Sequence, residues 1–147
     1  MLFDEAYRRF WMDLGESRTM TLSTSLHDLV TSRMMSIVVL EGRLFFQTDR
    51  TFRKYEQIKG NAHVALCADN FQIEGECKEV GRPVENPDFC RAYEKYFHSS
   101  FQRYSGLENE RLFAVTPTFI ERWRYVDGIP YMEMFEVEKR NYIWKKY

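Results

Sequence analysis

At 147 residues the chain has the length of one ordinary domain, enough to bury a core of its own. With 44% hydrophobic and 29% charged residues it reads as globular rather than disordered, and a formal net charge of −1 argues against a nucleic-acid binder, which would normally show a broad basic face. No apolar run approaches the roughly 20 residues of a membrane span. Asp4 and Glu5 stand where a secretory leader would carry basic residues, so the expectation is a cytoplasmic protein with no membrane partner.

The first element is an amphipathic helix within residues 1–15: Tyr7 with Trp11 and Ala6 with Phe10 fall at helical spacing, Asp4 or a neighbour caps it, and Gly15 ends it. Thr19 to Ser25 alternates as a strand, and Leu26-His27-Asp28-Leu29 makes its turn. Arg33 to Leu40 is a β-branched, apolar run that Glu41-Gly42 turns into a second run, Arg43 to Gln47, a hairpin signal. A short helix then opens at Asp49 or Thr51 and closes at Gly60-Asn61, followed by a strand from His63 to Ala68. Asp69-Asn70 turns into a long strand, Phe71 to Val84, with Gly75 marking a bulge or a close backbone approach.

Asn86-Pro87-Asp88 is a strong helix start, and that helix runs to about His98, burying Phe89, Ala92, Tyr93, Tyr96 and Phe97. Ser99 to Asn109 reads as irregular. Leu112 to Val115 and Phe119 to Tyr125 read as two strands parted by Thr116-Pro117-Thr118, and Asp127-Gly128 turns into a further strand, Tyr131 to Phe135. Residues 136–147 read as an arm over a neighbour or a loose end. Residues 1–147 form one domain, with no repeat or linker.

Cys67, Cys77 and Cys90 lack any Cys-x-x-Cys pairing and suit a reducing compartment. His27, His63 and His98 show no ligand spacing, so no metal site is expected. Aromatic residues reach 16%, which suits a core, a subunit interface or a planar ligand.

The oddity is charge. A helix amino terminus carries partial positive charge and favours acids, yet Arg50, Arg53 and Lys54 crowd this one with only Asp49 opposing them. Either these cations extend into water or they surround an anion, where dipole, N–H groups and cations act together; the reading adopted is a phosphate site.

Taken in order, Arg33, Gln47-Thr48, Arg53-Lys54, the strand Asn61-Ala62-His63-Val64-Ala65-Leu66 and Ile73-Glu74-Gly75-Glu76-Cys77 resemble the FMN-binding split β-barrel family typified by pyridoxamine 5′-phosphate oxidase, over roughly Met20 to Val80. Two departures stand out. Phe52 replaces the family's serine before the basic pair, and there is no counterpart of the arginine- and histidine-bearing carboxyl-terminal segment that holds pyridoxamine phosphate in the true oxidases. The resemblance implies a mainly β fold with helices (α+β), a six-stranded antiparallel split β-barrel, dimeric, with two FMN molecules at the interface. It also implies roles. Arg33, Arg53 and Lys54 hold the phosphate, and Gln47 and Thr48 contact phosphate, ribityl or ring. Met34, Met35 and Ser36 line the flavin through their backbone, and Trp123 approaches the cofactor from the other subunit.

The expectation is therefore a homodimeric flavoprotein acting as an oxidoreductase on a small organic substrate, with NADH or NADPH as candidate donor. Flavin carries the electron chemistry itself, which is why no protein acid, base or nucleophile is nominated. The same fold binding deazaflavin or haem, or serving as a flavin-binding or storage module, stays open.

Overall fold

The computed structural model describes residues 2–147. In chain order the elements are α1 (Phe3–Leu14), β1 (Ser17–Leu26), β2 (Leu29–Leu40), β3 (Arg43–Asp49), α2 (Arg53–Gly60), β4 (His63–Ala68) and β5 (Phe71–Glu79). A 3-10 turn (Pro83–Glu85) then leads to α3 (Pro87–Tyr96), α4 (His98–Tyr104), β6 (Glu110–Val126), β7 (Ile129–Glu136) and β8 (Asn141–Lys146). The antiparallel strands follow the order β3-β2-β1-β4-β5-β6, and β6 pairs back onto β3, closing a six-stranded barrel; β7 and β8 extend the sheet beyond it. No helix is long and apolar enough to cross a membrane.

The turns sit where residues tolerant of positive φ occur. Asp28, Glu41-Gly42 and Asp127-Gly128 all adopt left-handed backbone, which lets two-residue connections match the strands' twist. Inside the barrel Met20, Leu22, Ile37, Leu44, Phe46, Leu66, Ile73, Phe113 and Val115 form one core. Helix α1 covers the flank where β7 leaves the barrel, inserting Ala6, Phe10 and Leu14, and the Phe10 ring meets Phe71 edge-on at 5.7 Å and Phe135 at 5.8 Å. A second core lies outside the barrel wall, where Phe89 and Tyr93 of α3 cover Val38, Phe45, Leu112 and Ala114. Strands β3 and β6 are therefore buried on both faces where they pair, which explains the unbroken apolar runs Leu44-Phe45-Phe46 and Leu112-Phe113-Ala114-Val115.

Several elements differ from the sequence expectation. The two strands around Thr116-Pro117-Thr118 are one strand, β6, and the register slips opposite Glu74/Gly75, where Pro117 pairs with Gly75. A proline has no N–H to give a ladder, and the bulge accommodates it. Gly75 is needed for close approach, since a Cβ there would lie 2.6 Å from the Thr116 carbonyl oxygen. Strand β5 ends at Glu79 rather than Val84. Helix α3 ends at Tyr96, and residues 99–104 of the expected irregular stretch belong with His98 to α4. The tail is no loose end: β8 hydrogen-bonds to β7 from Tyr131↔Lys146 to Glu136↔Asn141. At α3 Asn86 Oδ1 accepts the Phe89 N–H at 3.0 Å, the cap expected there.

Candidate functional site

Strands β2 and β3 pair only through Val38↔Phe45, Val39↔Leu44 and Leu40↔Arg43. Below that point β2 stays with β1, while β3 runs from Leu44 to Asp49 against β6. Met34 to Ile37 and Phe46 to Asp49 thus form the two walls of a split, and the β2 edge facing it carries no strand partner. Helix α2 follows β3 directly, so its amino terminus lies at the end of the split.

That terminus is built without a side-chain cap. The N-cap is Phe52, not Asp49 or Thr51, and Phe52 makes no capping hydrogen bond. Asp49 instead accepts from the Thr51 N–H at 2.8 Å and the Thr51 hydroxyl at 2.6 Å, which holds its carboxyl below the ordinary range. Arg53 and Lys54 are the first helical residues, and the Lys54 ammonium lies 4.9 Å from the centre of the Phe52 ring. Burial, then the charge of Arg33, lowers the Lys54 pKa, with Glu110 and Asp49 offsetting part of the shift.

Arg33 lies within β2 rather than at its start, on the same strand face as Ile37, and reaches into a polar end of the barrel. Its guanidinium donates from Nη1 to the Leu22 carbonyl at 3.2 Å and Thr24 Oγ1 at 2.9 Å. From Nη2 it donates to Thr31 Oγ1 at 2.6 Å and Gln57 Oε1 at 3.2 Å. Gln57, buried on α2, ties the helix to this network by also accepting from Thr24. Burial first, then the Arg53 charge, lowers the Arg33 pKa. Arg33, Arg53 and Lys54 are therefore linked electrostatically, and among the described residues none of them forms an ion pair.

The other predicted residues divide. Thr48 and Gln47 are buried on β3; Thr48 Oγ1 has no hydrogen-bond partner, whereas Gln47 Oε1 accepts the Ser105 hydroxyl at 2.7 Å. Met34 is 64% exposed, Met35 packs against the barrel core, and Ser36 lies beside the Tyr93 hydroxyl. Trp123 stands apart, well along β6 from the Thr48↔Arg111 pair, with its ring against Tyr125 and Tyr147.

Sequence reading missed Glu110, the first residue of β6. It is 5% exposed and lies directly across the ladder from Asp49. Burial, then the Asp49 charge, pushes its pKa up to about 7, with Lys54 opposing the shift. Its backbone pairing with Asp49 joins residues far apart in the chain, a relation no local pattern carries.

The sequence profile of the pyridoxamine 5′-phosphate oxidase family matches residues 3–124, and the chain belongs to that family. No curated protein matches. A pyridoxamine 5′-phosphate oxidase-related, FMN-binding protein from Nostoc punctiforme superposes with a TM-score of 0.61 at 13% identity, covering 88% of this chain and 87% of that one. PhzG from Burkholderia lata, solved with tetrahydrophenazine-1-carboxylic acid, gives 0.64 at 13% identity over 98% and 91%. HutZ, the haem storage protein of Vibrio cholerae, gives 0.59 at 16% identity over 80% and 91%.

Proposed function

We propose that the chain binds FMN in the split and acts, as a homodimer, as an oxidoreductase on a small organic substrate, with NADH or NADPH as electron donor. The observation that carries this reading is the trio Arg33, Arg53 and Lys54. Arg33 repels both Arg53 and Lys54, none of the three forms an ion pair among the described residues, and Glu110 and Asp49 only partly offset the charge on Lys54; beside an uncapped helix amino terminus they form a site that an anion stabilises. A phosphate there is held by Arg53 and Lys54, with Arg33 contributing its charge and the one N–H, at Nε, that its own network leaves unused. The partnerless Thr48 hydroxyl fits the same ligand. The unpaired edge of β2 at Met34 to Ser36 suits the polar rim of a flavin, and Gln47 stands behind it. The bound flavin supplies the hydride or electron transfer. The protein's part is to orient it and to exclude water.

A second copy of the chain is supported by apolar side chains left in the open on one face of β2, where Val30 is 69% and Met34 is 64% exposed. In such a dimer Trp123 of the partner subunit is the residue proposed to approach the ring. Haem is less suited to this chain, whose three histidines are all exposed.

The experiment is a titration of the purified protein with FMN, its size measured by light scattering, followed by stopped-flow mixing with NADH or NADPH. Stoichiometric binding to a dimer and rapid bleaching of the flavin are expected. No binding overturns the cofactor assignment; tight binding without reduction makes the protein a carrier.

A further inference from the structure

Glu110 has no part in the cofactor reading, yet it faces the same corner of the fold. Its side chain is buried, and its carboxyl has no hydrogen-bond or ion-pair partner among the described residues. Asp49, from β3, sits opposite it in the ladder. Lys54 approaches from α2, and Tyr93 from α3 feels its charge. On β6 itself Arg111 is engaged elsewhere: its Nη1 donates to the Glu110 carbonyl at 2.8 Å and its Nε lies 3.9 Å from Glu79. Gln47 and Ser105, hydrogen-bonded to each other, are neutral.

An ionised carboxylate in this position is repelled by Asp49 and attracted by one cation, Lys54, and that cation is the ammonium assigned to the phosphate. We propose that Glu110 is a proton-linked positioning residue of the anion site: protonated, it leaves Lys54 to the anion, and ionised, it competes with the anion for Lys54. The proposal rests on the anion-site reading above. The proton exchanged is taken from or given to solvent. Anion affinity then falls as Glu110 ionises, and by reciprocity a bound anion holds the proton on Glu110. The carboxyl's rise to about 7 places that exchange near neutrality.

Sulfate is the probe, because its charge is constant across the range, and its binding is followed through the Arg53 and Lys54 amide resonances. From about pH 6 to about pH 8.5 the sulfate Kd of the native chain should rise about tenfold, while that of Glu110→Gln should change less than about twofold. Parallel pH profiles overturn the proposal. Side-chain carbon resonances of the native chain, needing no variant, should show one glutamate titrating near neutrality; a set in which every glutamate finishes titrating well below neutral pH overturns it too. FMN affinity, measured separately at the lower pH, tests the cofactor reading alone: its absence removes the flavin, and sulfate still decides the role of Glu110.

Discussion

Replacing Lys54 by methionine separates a binding residue from a structural one, because the two roles predict opposite signs. In the empty protein the ammonium is half-buried, repelled by Arg33 and without an ion-pair partner, so its removal relieves a cost. Solvent screening keeps that relief below about 1 kcal/mol, and methionine retains the stem that covers Phe52. The melting temperature without ligand should stay level or rise by about 2–4 °C. The same change deletes a charge-assisted bond to phosphate of about 1.5–3 kcal/mol, so the FMN Kd should rise by roughly 10- to 150-fold. Thermal unfolding without flavin and fluorescence titration with it measure the two. A lower melting temperature with unchanged Kd would show that Lys54 braces the fold and that the phosphate is held elsewhere or not at all.

Gly75→Ala forces a Cβ against the Thr116 carbonyl oxygen at 2.6 Å and Val115 Cγ1 at 2.7 Å and should cost about 1–3 kcal/mol in chemical denaturation, whereas Gly106→Ala, with nothing within 4 Å, should be close to neutral. Arg122→Met takes from the buried Glu133 its closest cation, whose Nε donates to it at 2.7 Å, and should cost about 3–5 kcal/mol; a loss below about 1 kcal/mol would mean that Tyr142, bonded at 2.6 Å, and Arg124, 3.8 Å away, suffice. For Glu110 the folded pKa lies above the unfolded value, so the folded chain binds the extra proton between about pH 4.5 and 7. The free energy of unfolding should therefore fall as pH rises through that window, by about 1–3 kcal/mol, and Glu110→Gln should flatten that part of the curve.

The first half of the barrel was legible because alternation and turn chemistry agree there: Met20 and Leu22 point inward, and Asp28 and Gly42 take the left-handed turns. β6 was not, because Pro117 interrupts a local pattern that the bulge opposite Gly75 repairs across the sheet. β8 was hidden by Lys145 and Lys146, charges that suit the outer edge of a sheet as well as they suit a free tail. Within the candidate site, the basic pair could be read from its clash with the helix dipole. Arg33 shares strand parity with the core residue Ile37, but parity alone does not tell that this end of the interior is furnished with Thr24, Thr31 and Gln57. Glu110 owes its burial to a strand far away in sequence and to the helices packed over it, and nothing in its immediate neighbours announces that.

The divergence of β2 from β3 also bears on how the protein is made. Arg33 to Lys54 all precede Arg111 in the chain, and these residues can meet through short loops. The far wall gains its ladder partner only when the Thr48↔Arg111 registration closes the ring. A chain that has not yet added β6 therefore carries every proposed cation but lacks the brace that fixes their spacing, and the proposed anion site is complete only in the closed barrel.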